Sequence, residues 1–497
     1  MFEVATLGHK LDKKEYETDL PELRTQLLLA QEAVKEANFP VIVLVTGVDG
    51  SGKGDVINLL NTWLDPRYVR THAFSAPGEE ERERPPYWRY WMSLTPKGHI
   101  GIYVGSWYSD PIARRVKGIL NDVELERELT SINTFEEMLV QDGALIIKFW
   151  LHLSKDVQKK RMKQLETNQA TSWSVTALDK KHLKTYDKFI QIAEATLRET
   201  STGSAPWIIV EATDEHYRNL TVGQHLLERI RYHRDTLKER AVHKPHLHPI
   251  AAPELGNHVS VLGKLDLTKS LTKLRYEKQL AKYQGRLGEL ARLAREKKRS
   301  SIVLLEGWDA AGKGGMIRRI IPAMDARQYR IIPIAAPTDE ERAQHYLWRF
   351  WRHIPRAGKV TIYDRSWYGR VLVERVEGFA HENEWMRAYT EINNFEEQLV
   401  EGGIVLVKFW LHISSEEQLV RFKAREQTPF KQYKITEEDY RNRDKWDAYE
   451  NAINDMVERT STANAKWHLI EGNDKYHARI KALKIYCDRL ERALEKK

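Results

Sequence analysis

The sequence has little cysteine, no long apolar run and no leader-like start. Cys487 is the only cysteine among 497 residues, which excludes a disulfide framework within the chain and favours a reducing compartment. No apolar run approaches the ~20 residues that cross a bilayer, so we expect no membrane partner. The first residues also lack the apolar core of a secretory signal. These absences together predict a cytoplasmic protein.

The composition is that of a folded globular protein of more than one domain. Hydrophobic residues make up 41% of the chain and charged residues 30%, which excludes disordered and fibrous classes. A chain of 497 residues is also too long for one ordinary core. The net charge of +8, from 79 basic and 71 acidic residues, is modest. It fits either a salt-bridged surface or a polyanion-binding protein, and the location of the charges must decide.

One sequence unit occurs twice, at an offset of 260 residues. VIVLVTGVDGSGKGDVI (41–57) returns as SIVLLEGWDAAGKGGMI (301–317), and IIKFWLHLS (146–154) returns as LVKFWLHIS (406–414). Such repetition predicts two domains of one fold. We place them at residues 1–237 and 258–497, joined by a linker over residues 238–257 that is rich in proline and histidine. The three linker histidines are spaced too irregularly to predict a metal site, so we interpret them as solvated.

Short apolar runs alternate with helical segments in each unit. In the second unit the runs are IVLLEG (302–307), VTIYD (360–364), IVLVKFWLHI (404–413) and WHLIEG (467–472). This alternation predicts an α/β fold, in which a mainly parallel sheet is covered by helices on both faces. The tryptophans of WRFW (348–351) and FWLH (409–412) persist in both units. We therefore expect these aromatic residues to form core rather than to stack on a nucleotide.

A phosphate-binding loop follows the first apolar strand of each unit. GWDAAGKG (307–314) fits G-x-x-x-x-G-K between a strand and a helix. In that context backbone N–H groups can surround phosphate oxygens, and the lysine can reach the transferred phosphate. The alternative, a glycine-rich turn that only reverses the chain, does not explain two matching occurrences. The sequence therefore predicts phosphate ligands at Gly307, Gly312, Lys313, Gly314 and Gly315.

The loop departs from its usual form where Gly314 replaces the Ser or Thr that holds Mg²⁺. Another hard oxygen ligand is needed if a metal is used. Asp309 lies within the loop, and Asp364 ends the strand VTIYD, where an acid would project into the ligand crevice. We predict both aspartates as metal ligands. The alternative for Asp364 is a helix cap or a turn former.

Basic residues cluster between residues 421 and 445, which gives part of the positive charge a location. A linear polyanion suits such a cluster, although five interspersed acids leave a solvated helical face as the alternative. We favour polyanion binding because a phosphate loop precedes the cluster in the same unit. The predicted phosphate ligands here are Arg421, Arg425, Lys431, Lys434 and Arg443.

The motifs GWDAAGKGG, APTDEE, YLWRFW, DRSWYGR, NNFE and VKFWLHIS together resemble the second polyphosphate kinase family, over nearly the whole chain and twice. The resemblance implies two tandem P-loop kinase domains, each with a helical lid after the KFWLHIS strand. Tandem members of that family move the terminal phosphoryl group of inorganic polyphosphate to AMP, forming ADP, with Mg²⁺, which Mn²⁺ can replace. By this resemblance, Asp309, Lys313, Asp364 and Arg365 form the catalytic centre.

Phosphoryl transfer needs positioning and charge neutralisation more than covalent help from the protein. We assign Lys313 to the transferring phosphates, and Arg365 and Arg370 to the charge of the transition state. Glu374 either orients an arginine, binds metal or forms a surface ion pair. No strong general base is expected, because the accepting phosphate oxygen is already ionised.

The two units are not equivalent in their polar residues. The first keeps Asp49 and Lys53, but it has Val104 and Gly105 where the second has Asp364 and Arg365. It also has Asp110 and Arg114 at the positions of Arg370 and Glu374, and it lacks most of the lid cations. We therefore predict that the first domain is degenerate and that the second carries the activity.

Two other functions stay open from the sequence. An ATP-dependent nucleotide kinase would share the loop, but the basic lid and the missing Ser or Thr favour polyphosphate. A nucleic-acid-binding protein would need exposed aromatics among its basic residues, whereas these aromatics lie in apolar repeated segments, so we expect no nucleic-acid partner. The choice among AMP, ADP and guanine nucleotides as acceptor, the preferred chain length and assembly into a homo-oligomer are left open.

Overall fold

The computed structural model describes residues 1–169, 171–242, 260–429, 432 and 437–495. Within these ranges, no helix combines the length and apolarity that a membrane crossing requires. The predicted linker begins inside a helix that continues to Val242. The rest of that linker, with its three histidines, lies outside the described residues, as do the predicted phosphate ligands Lys431 and Lys434.

Ten strands are described, five from each repeat. They are β1 (Val41–Gly47), β2 (Val69–Ala73), β3 (Ile100–Val104), β4 (Leu145–His152), β5 (Trp207–Glu211), β6 (Ser301–Gly307), β7 (Tyr329–Pro333), β8 (Val360–Asp364), β9 (Val405–His412) and β10 (Trp467–Glu471). The central strands are runs that are mostly apolar, and all eight residues of β9 are buried. Such runs are typical of parallel strands that are covered on both faces.

Helices separate the strands in both repeats. The first repeat contains α1 (Lys13–Glu36), α2 (Lys53–Trp63), α3 (Glu79–Arg82), α4 (Trp88–Met92), α5 (Ser109–Val116), α6 (Asp122–Gln141), α7 (Lys155–Thr167), α8 (Ala177–Lys184), α9 (Tyr186–Thr200) and α10 (Glu215–Val242). The second contains α11 (Lys273–Glu296), α12 (Lys313–Ile320), α13 (Asp339–Arg342), α14 (Trp348–Trp351), α15 (Val373–Val376), α16 (Glu382–Glu401), α17 (Ser415–Glu426), α18 (Glu437–Asp444), α19 (Trp446–Thr460) and α20 (Lys475–Glu495). Short 3₁₀ helices cover Phe2–Ala5, Pro66–Tyr68, Ser172–Ser174, Ile321–Ala323 and Trp367–Val371.

Each repeat forms its own five-stranded sheet with the same topology. The strand orders are β2-β3-β1-β4-β5 and β7-β8-β6-β9-β10, and every described pairing is parallel. The predicted parallel α/β fold is confirmed. In each sheet the chain moves first to one side of the central strand and then to the other. Ligands bind outside the carboxyl end of such a strand, so β1 and β6 mark the two candidate crevices.

Both faces of each sheet are covered, as the sequence predicts. In the first repeat, Val43 and Val45 of β1 pack with Leu27 of α1, Leu60 of α2 and Leu226 of α10. On the other face, the buried Lys148 of β4 donates to Glu136 of α6 and to the carbonyl of Thr200 in α9. Burying one of these charges alone would be costly, but paired and fully hydrogen-bonded they are tolerated.

The buried ion pair and its aromatic neighbours recur in the second repeat. Lys408 donates to Glu396 at 2.7 Å, with both side chains almost fully buried. Trp348, Trp351 and Trp410 are buried, which confirms their predicted place in the core. Residues that persist in both repeats therefore include the scaffold of the fold.

The described residues divide into two compact units. The first unit holds Met1–Pro77, Asp339–His345 and the described part of Ser93–Ile250. The second holds Gly78–Met92 and the described parts of Ala251–Thr338 and Tyr346–Lys497. The segment Gly78–Met92, which the sequence places in the first domain, thus belongs to the second unit. There Trp91 stacks on Trp351, with ring centroids 5.6 Å apart.

Candidate active site

The predicted catalytic residues meet at the carboxyl edge of the second sheet. Strand β6 ends at Gly307, where the phosphate loop starts, and the neighbouring β8 ends at Asp364. Leu305 lies opposite Asp364 in the parallel register, so the loop and the aspartate leave the sheet side by side.

The phosphate loop requires its glycines at two points. Gly307 has φ +151°, and a Cβ there would lie 2.5 Å from the carbonyl oxygen of Leu411. Gly312 caps α12 with φ +113°, a conformation that other residues rarely adopt. Beyond them, a Cβ at Gly314 would meet nothing within 4 Å. The predicted glycines therefore leave the backbone at the start of α12 open to a ligand.

Lys313 folds back over its own loop. Its Nζ donates to the carbonyls of Gly307, at 2.7 Å, and Trp308, at 3.3 Å. These carbonyls place the ammonium group at the loop without neutralising its charge. The lysine can therefore exchange a carbonyl contact for a phosphate oxygen.

Asp309 is held as an anion between donors from two distant segments. Its Oδ1 accepts from Arg365 at 3.2 Å, and its Oδ2 accepts from the Asn442 amide at 3.1 Å. Burial acts to raise the pKa of Asp309, but Lys313, Arg365 and the Asn442 hydrogen bond outweigh it and lower the pKa below its usual value. The carboxylate is thus ionised at neutral pH.

Asp364 and Arg365 occupy the turn after β8. Asp364 is half-buried, and the following residue, Arg365, has φ +64°. This left-handed conformation is uncommon for a residue with a side chain. It accompanies the approach of the guanidinium to Asp309. The four residues implied by the family resemblance are thus brought to one edge of the sheet.

Two carboxylates here have the chemistry of a magnesium site. No group of three or more His, Cys, Asp or Glu side chains suited to a metal occurs in the part of the chain that the structure describes. Asp309 and Asp364 would therefore supply at most two protein ligands. Mg²⁺ is commonly bound by one or two carboxylates together with waters and substrate phosphates, so the residues present fit this ion.

Arg370 and Glu374 form an ion pair beside the centre. The Arg370 NH1 lies 3.1 Å from Glu374 Oε2, and the guanidinium stands 4.5 Å from the centroid of the Tyr346 ring. Burial raises the pKa of Glu374, against the lowering effect of Arg370 and Arg349. The predicted roles of Glu374 are to orient an arginine, to bind metal or to form a surface ion pair. Its partly buried pair with Arg370 agrees with the first of these roles.

Arg421 donates hydrogen bonds to the backbone of the phosphate loop, whereas the sequence predicted that Arg421 binds phosphate. Its two NH groups donate to the carbonyls of Ala310, Ala311, Gly472 and Asn473, and its Nε donates to Glu417. With 5% exposure, it has no donor directed at a ligand. Arg161 of the first repeat donates to loop carbonyls in the same manner, so this arginine belongs to the framework.

The remaining predicted lid cations differ in their contacts. We define the lid segment as residues 415–445, within which Lys431 and Lys434 lie outside the described residues. Arg443 donates to the carbonyl of Ser415 and to Gln418. Arg425 is half-buried and makes no side-chain hydrogen bond or ion pair with another described residue. Of the predicted phosphate ligands in the described part of the lid segment, Arg425 is therefore the one whose guanidinium is left for an anion.

Sequence reasoning missed several residues that differ between the repeats. Trp308 of the loop stacks on Trp446, with centroids 3.7 Å apart and planes 7° apart. Asn442 reaches Asp309, and Glu377 binds Lys445 at 2.8 Å. The first repeat has Val48, Tyr186, His182, Lys117 and Thr185 at these five positions. Lys445 belongs to the basic cluster that the sequence predicts between residues 421 and 445, and a position-by-position comparison of the repeats would have identified the other four.

Glu306 is a further missed residue, immediately before the loop. Burial raises the pKa of Glu306 above its usual value, although a hydrogen bond from Ser366 and the charges of Lys313 and Arg365 act to lower it. Thr46 takes its place in the first repeat. Glu306 is therefore another residue that distinguishes the second repeat from the first.

The first repeat's loop is neutralised by its own side chains. Lys53 lies 3.2 Å from Asp49, whose other oxygen lies 2.7 Å from His182 Nδ1. A Cβ at Gly52 would lie 1.7 Å from the Arg218 guanidinium, which donates to the carbonyl of Ser51. The position equivalent to Arg218 in the second repeat is Ala478. The two loops share a sequence pattern, but only the second presents its lysine without a carboxylate partner in the described residues.

Comparisons with known proteins agree with the two-repeat organisation. A sequence model described as polyphosphate kinase 2 matches residues 10–238 and 270–497. The chain is 52% identical over 497 residues to a polyphosphate:AMP phosphotransferase of Pseudomonas aeruginosa, covering 100% of both chains. It is 36% identical to a polyphosphate:AMP phosphotransferase of Acinetobacter johnsonii, covering 97% of this chain and 96% of that one.

A solved structure supports the same relationship at the level of the fold. The crystal structure of a protein assigned provisionally as polyphosphate kinase 2 from Pseudomonas aeruginosa PA01 matches with a TM-score of 0.89. The match has 49% sequence identity and covers 100% of both chains. Both repeats are therefore shared with that protein.

Proposed function

Since this chain belongs to the polyphosphate kinase 2 family, we propose that it transfers the terminal phosphoryl group of inorganic polyphosphate to AMP, forming ADP. The full-length relatives that bear this activity in their names support the assignment. The observation that carries it is the convergence of Asp309, Lys313, Asp364 and Arg365 at the edge of the second sheet.

The proposed mechanism assigns positioning and charge neutralisation to the protein. Lys313 and the backbone N–H groups at the start of α12 bind the phosphates of the donor chain. Arg365 stabilises negative charge on the group in transfer. The nucleophile is an oxygen of the AMP phosphate, which is ionised at neutral pH. No side chain has to remove a proton from it.

We propose Mg²⁺ as the cofactor, with Mn²⁺ as a substitute, held by Asp309 and Asp364. When bound, the ion would neutralise charge on the reacting phosphates. Asp309 is ionised and lies beside Arg365, and Asp364 ends the neighbouring strand. Each oxygen of Asp309 accepts one hydrogen bond from another segment, which leaves acceptor capacity on both oxygens for the metal.

We assign the lid segment to the donor chain and Arg370 to the acceptor side of the centre. Arg425 is available for an anionic chain, and Arg370 is oriented by Glu374. The protein would act in the cytoplasm, with polyphosphate and AMP or ADP as partners rather than nucleic acid. Assembly into a homo-oligomer is to be measured by light scattering.

One assay tests the proposed reaction. The purified protein is incubated with Mg²⁺ and polyphosphate, and AMP, ADP, GMP or GDP is offered separately, with products separated by ion-exchange chromatography. We expect ADP from AMP and polyphosphate, and loss of the reaction with excess EDTA. ADP formed only with ATP as donor would instead establish a nucleotide kinase. Displacement of polyphosphate by single-stranded DNA would establish a nucleic-acid-binding site.

A further inference from the structure

Glu306 is a buried carboxylate that the mechanism above does not use. It precedes the phosphate loop as the last residue but one of β6, and it is 5% exposed. Its Oε1 accepts a hydrogen bond of 2.7 Å from the hydroxyl of Ser366. A buried carboxylate is costly unless it is hydrogen-bonded, so its retention next to the loop calls for an explanation.

Ser366 connects this carboxylate to the turn that carries Arg365. While its hydroxyl donates to Glu306, the same oxygen accepts from the Tyr368 N–H at 3.4 Å, at the start of the 3₁₀ helix Trp367–Val371. Arg365 precedes it directly and has φ +64°. A left-handed residue with a side chain persists only where its surroundings hold it in place. The hydrogen bonds of Ser366 stabilise the backbone next to Arg365 in this way.

The first repeat has the same turn, but a glycine occupies the left-handed position. Gly105 has the same φ of +64°, and glycine adopts it without a steric penalty. Ser106 is retained at the position of Ser366, but Thr46 replaces Glu306 and donates instead to the carbonyl of Phe149. The carboxylate and the arginine are therefore absent together.

Two other buried carboxylates of the second repeat, Glu396 and Glu471, do not follow this pattern, because the first repeat keeps them as Glu136 and Glu211. Glu396 pairs with Lys408, and the first repeat keeps the same pair as Glu136 and Lys148. Glu396 is thus present in both repeats, whereas Glu306 is present only where an arginine occupies the left-handed position.

We propose that Glu306 is a positioning residue for phosphoryl transfer. Through its hydrogen bond to Ser366 it holds the left-handed turn that directs Arg365 towards Asp309. The proposal rests on the proposed function for its kinetic consequence, but the structural part concerns the turn alone.

The first experiment measures kcat and both apparent KM values for variants at each end of this hydrogen bond. Glu306→Thr and Ser366→Ala should each lower kcat about tenfold or more, because each removes a hydrogen bond involving a carboxylate. Both KM values should change by less than about threefold, since the substrate contacts remain. Glu306→Gln should retain at least about a third of kcat, because its amide oxygen can still accept from Ser366.

The first repeat provides matched controls at the same positions. Thr46→Ala and Ser106→Ala should leave kcat nearly unchanged. Equal losses in Glu306→Gln and Glu306→Thr, or full activity in Ser366→Ala, would overturn the proposal. So would a uniform rise in KM at unchanged kcat.

A thermal-melting cycle separates this proposal from the proposed function. Glu306→Thr and Ser366→Ala should each lower Tm less in an Arg365→Gly background than in the wild type, because glycine no longer needs the turn to be held. Equal losses in both backgrounds would overturn the proposal. A wild-type protein that is inactive with polyphosphate and AMP would refute the proposed function, and the melting cycle would still decide the role of Glu306.

Discussion

At the scale of single residues, the lysines of the two phosphate loops, Lys313 and Lys53, differ in their side-chain partners. Both fold back on the carbonyls of their own loops. Lys53 also pairs with Asp49, whereas the aspartate of the second loop, Asp309, binds Arg365 and Asn442. A lysine paired with a carboxylate is less available to a phosphate. Side-chain partners beyond the motif therefore separate the two loops.

Replacing these lysines in turn tests which loop is catalytic. Lys313→Ala should lower kcat by at least about 100-fold, because it removes a charge aimed at the transferring phosphates. Lys53→Ala should retain most of the activity, since Val104 and Gly105 leave the first centre without a second carboxylate or an arginine. Kinetics with polyphosphate and AMP measure both variants. Retention of half the activity by each would mean that the two repeats are independent catalysts.

Two buried histidines make the stability of the protein depend on pH. Burial lowers the pKa of His412 to about 4, and burial likewise lowers the pKa of His152 to about 4, against a smaller raising effect of Glu211. Between pH 6.5 and 4 the unfolded chain binds more protons at these positions than the folded chain does. The free energy of unfolding should therefore fall as the pH falls, by on the order of 2–3 kcal/mol per histidine.

Urea denaturation from pH 8 to pH 5 measures this dependence. His412→Gln should flatten the curve, and its amide oxygen can still accept the hydrogen bond that Trp308 Nε1 gives to His412 Nδ1 at 3.1 Å. His152→Gln is the matched variant in the first repeat. An unchanged slope in both variants would contradict the predicted role of these side chains.

At the scale of elements, one residue near the end of the lid segment and the residue that follows the segment contact the phosphate loop of the second repeat. Trp446, the first residue of α19, stacks on Trp308, while Asn442 of α18 donates to Asp309. Stacked aromatic pairs contribute about 0.5–1.5 kcal/mol beyond their buried area. A ligand that binds the lid can therefore influence the loop through these contacts.

Removing the stack should uncouple the lid segment from the loop. We expect Trp446→Ala to raise the apparent KM for polyphosphate several-fold and to lower kcat, with a smaller change in the KM for AMP. Tyr186→Ala alters the equivalent position of the first repeat and should leave both KM values near those of the wild type. Steady-state kinetics below the Tm of both variants make the comparison. Equal effects on the two KM values would argue against a lid that binds the donor chain.

At the scale of the whole molecule, the compact units do not follow the order of the chain. The second unit includes Gly78–Met92 from the first repeat. Within that unit Trp88 Nε1 donates to the carbonyl of Trp351, and Arg84 donates to the carbonyl of Ile354. A cut at the linker would remove this segment from the second unit.

Trp91→Ala tests whether this segment stabilises the second unit, in which we propose the active site. Trp91 is 1% exposed, and truncating a buried aromatic side chain costs about 3–5 kcal/mol. The variant should lower the temperature at which activity is lost. Trp63→Ala is the control, because Trp63 is buried in the core of the first unit. Loss of activity at the same lowered temperature in both variants would show that the two units unfold together.

The amino-acid sequence determined the family, the two parallel sheets, the phosphate loops and the inequality of the repeats. These features depend on local patterns: apolar strands, a glycine loop before a helix, and substitutions at matching positions. A loop that needs open backbone and one lysine is recognisable within eight residues, because its chemistry comes from consecutive groups.

Only the tertiary structure decided which charged side chains face a ligand and which support the loop. Arg421 contacts carbonyls about 110 residues away in the chain, and Asn442 reaches Asp309 across 133 residues. A basic cluster looks the same in sequence whether its donors meet phosphate or backbone. The placement of Gly78–Met92 and the link from Glu306 to Ser366 likewise depend on the packing of distant segments, because buried polar groups take whichever partners the fold brings within hydrogen-bonding distance.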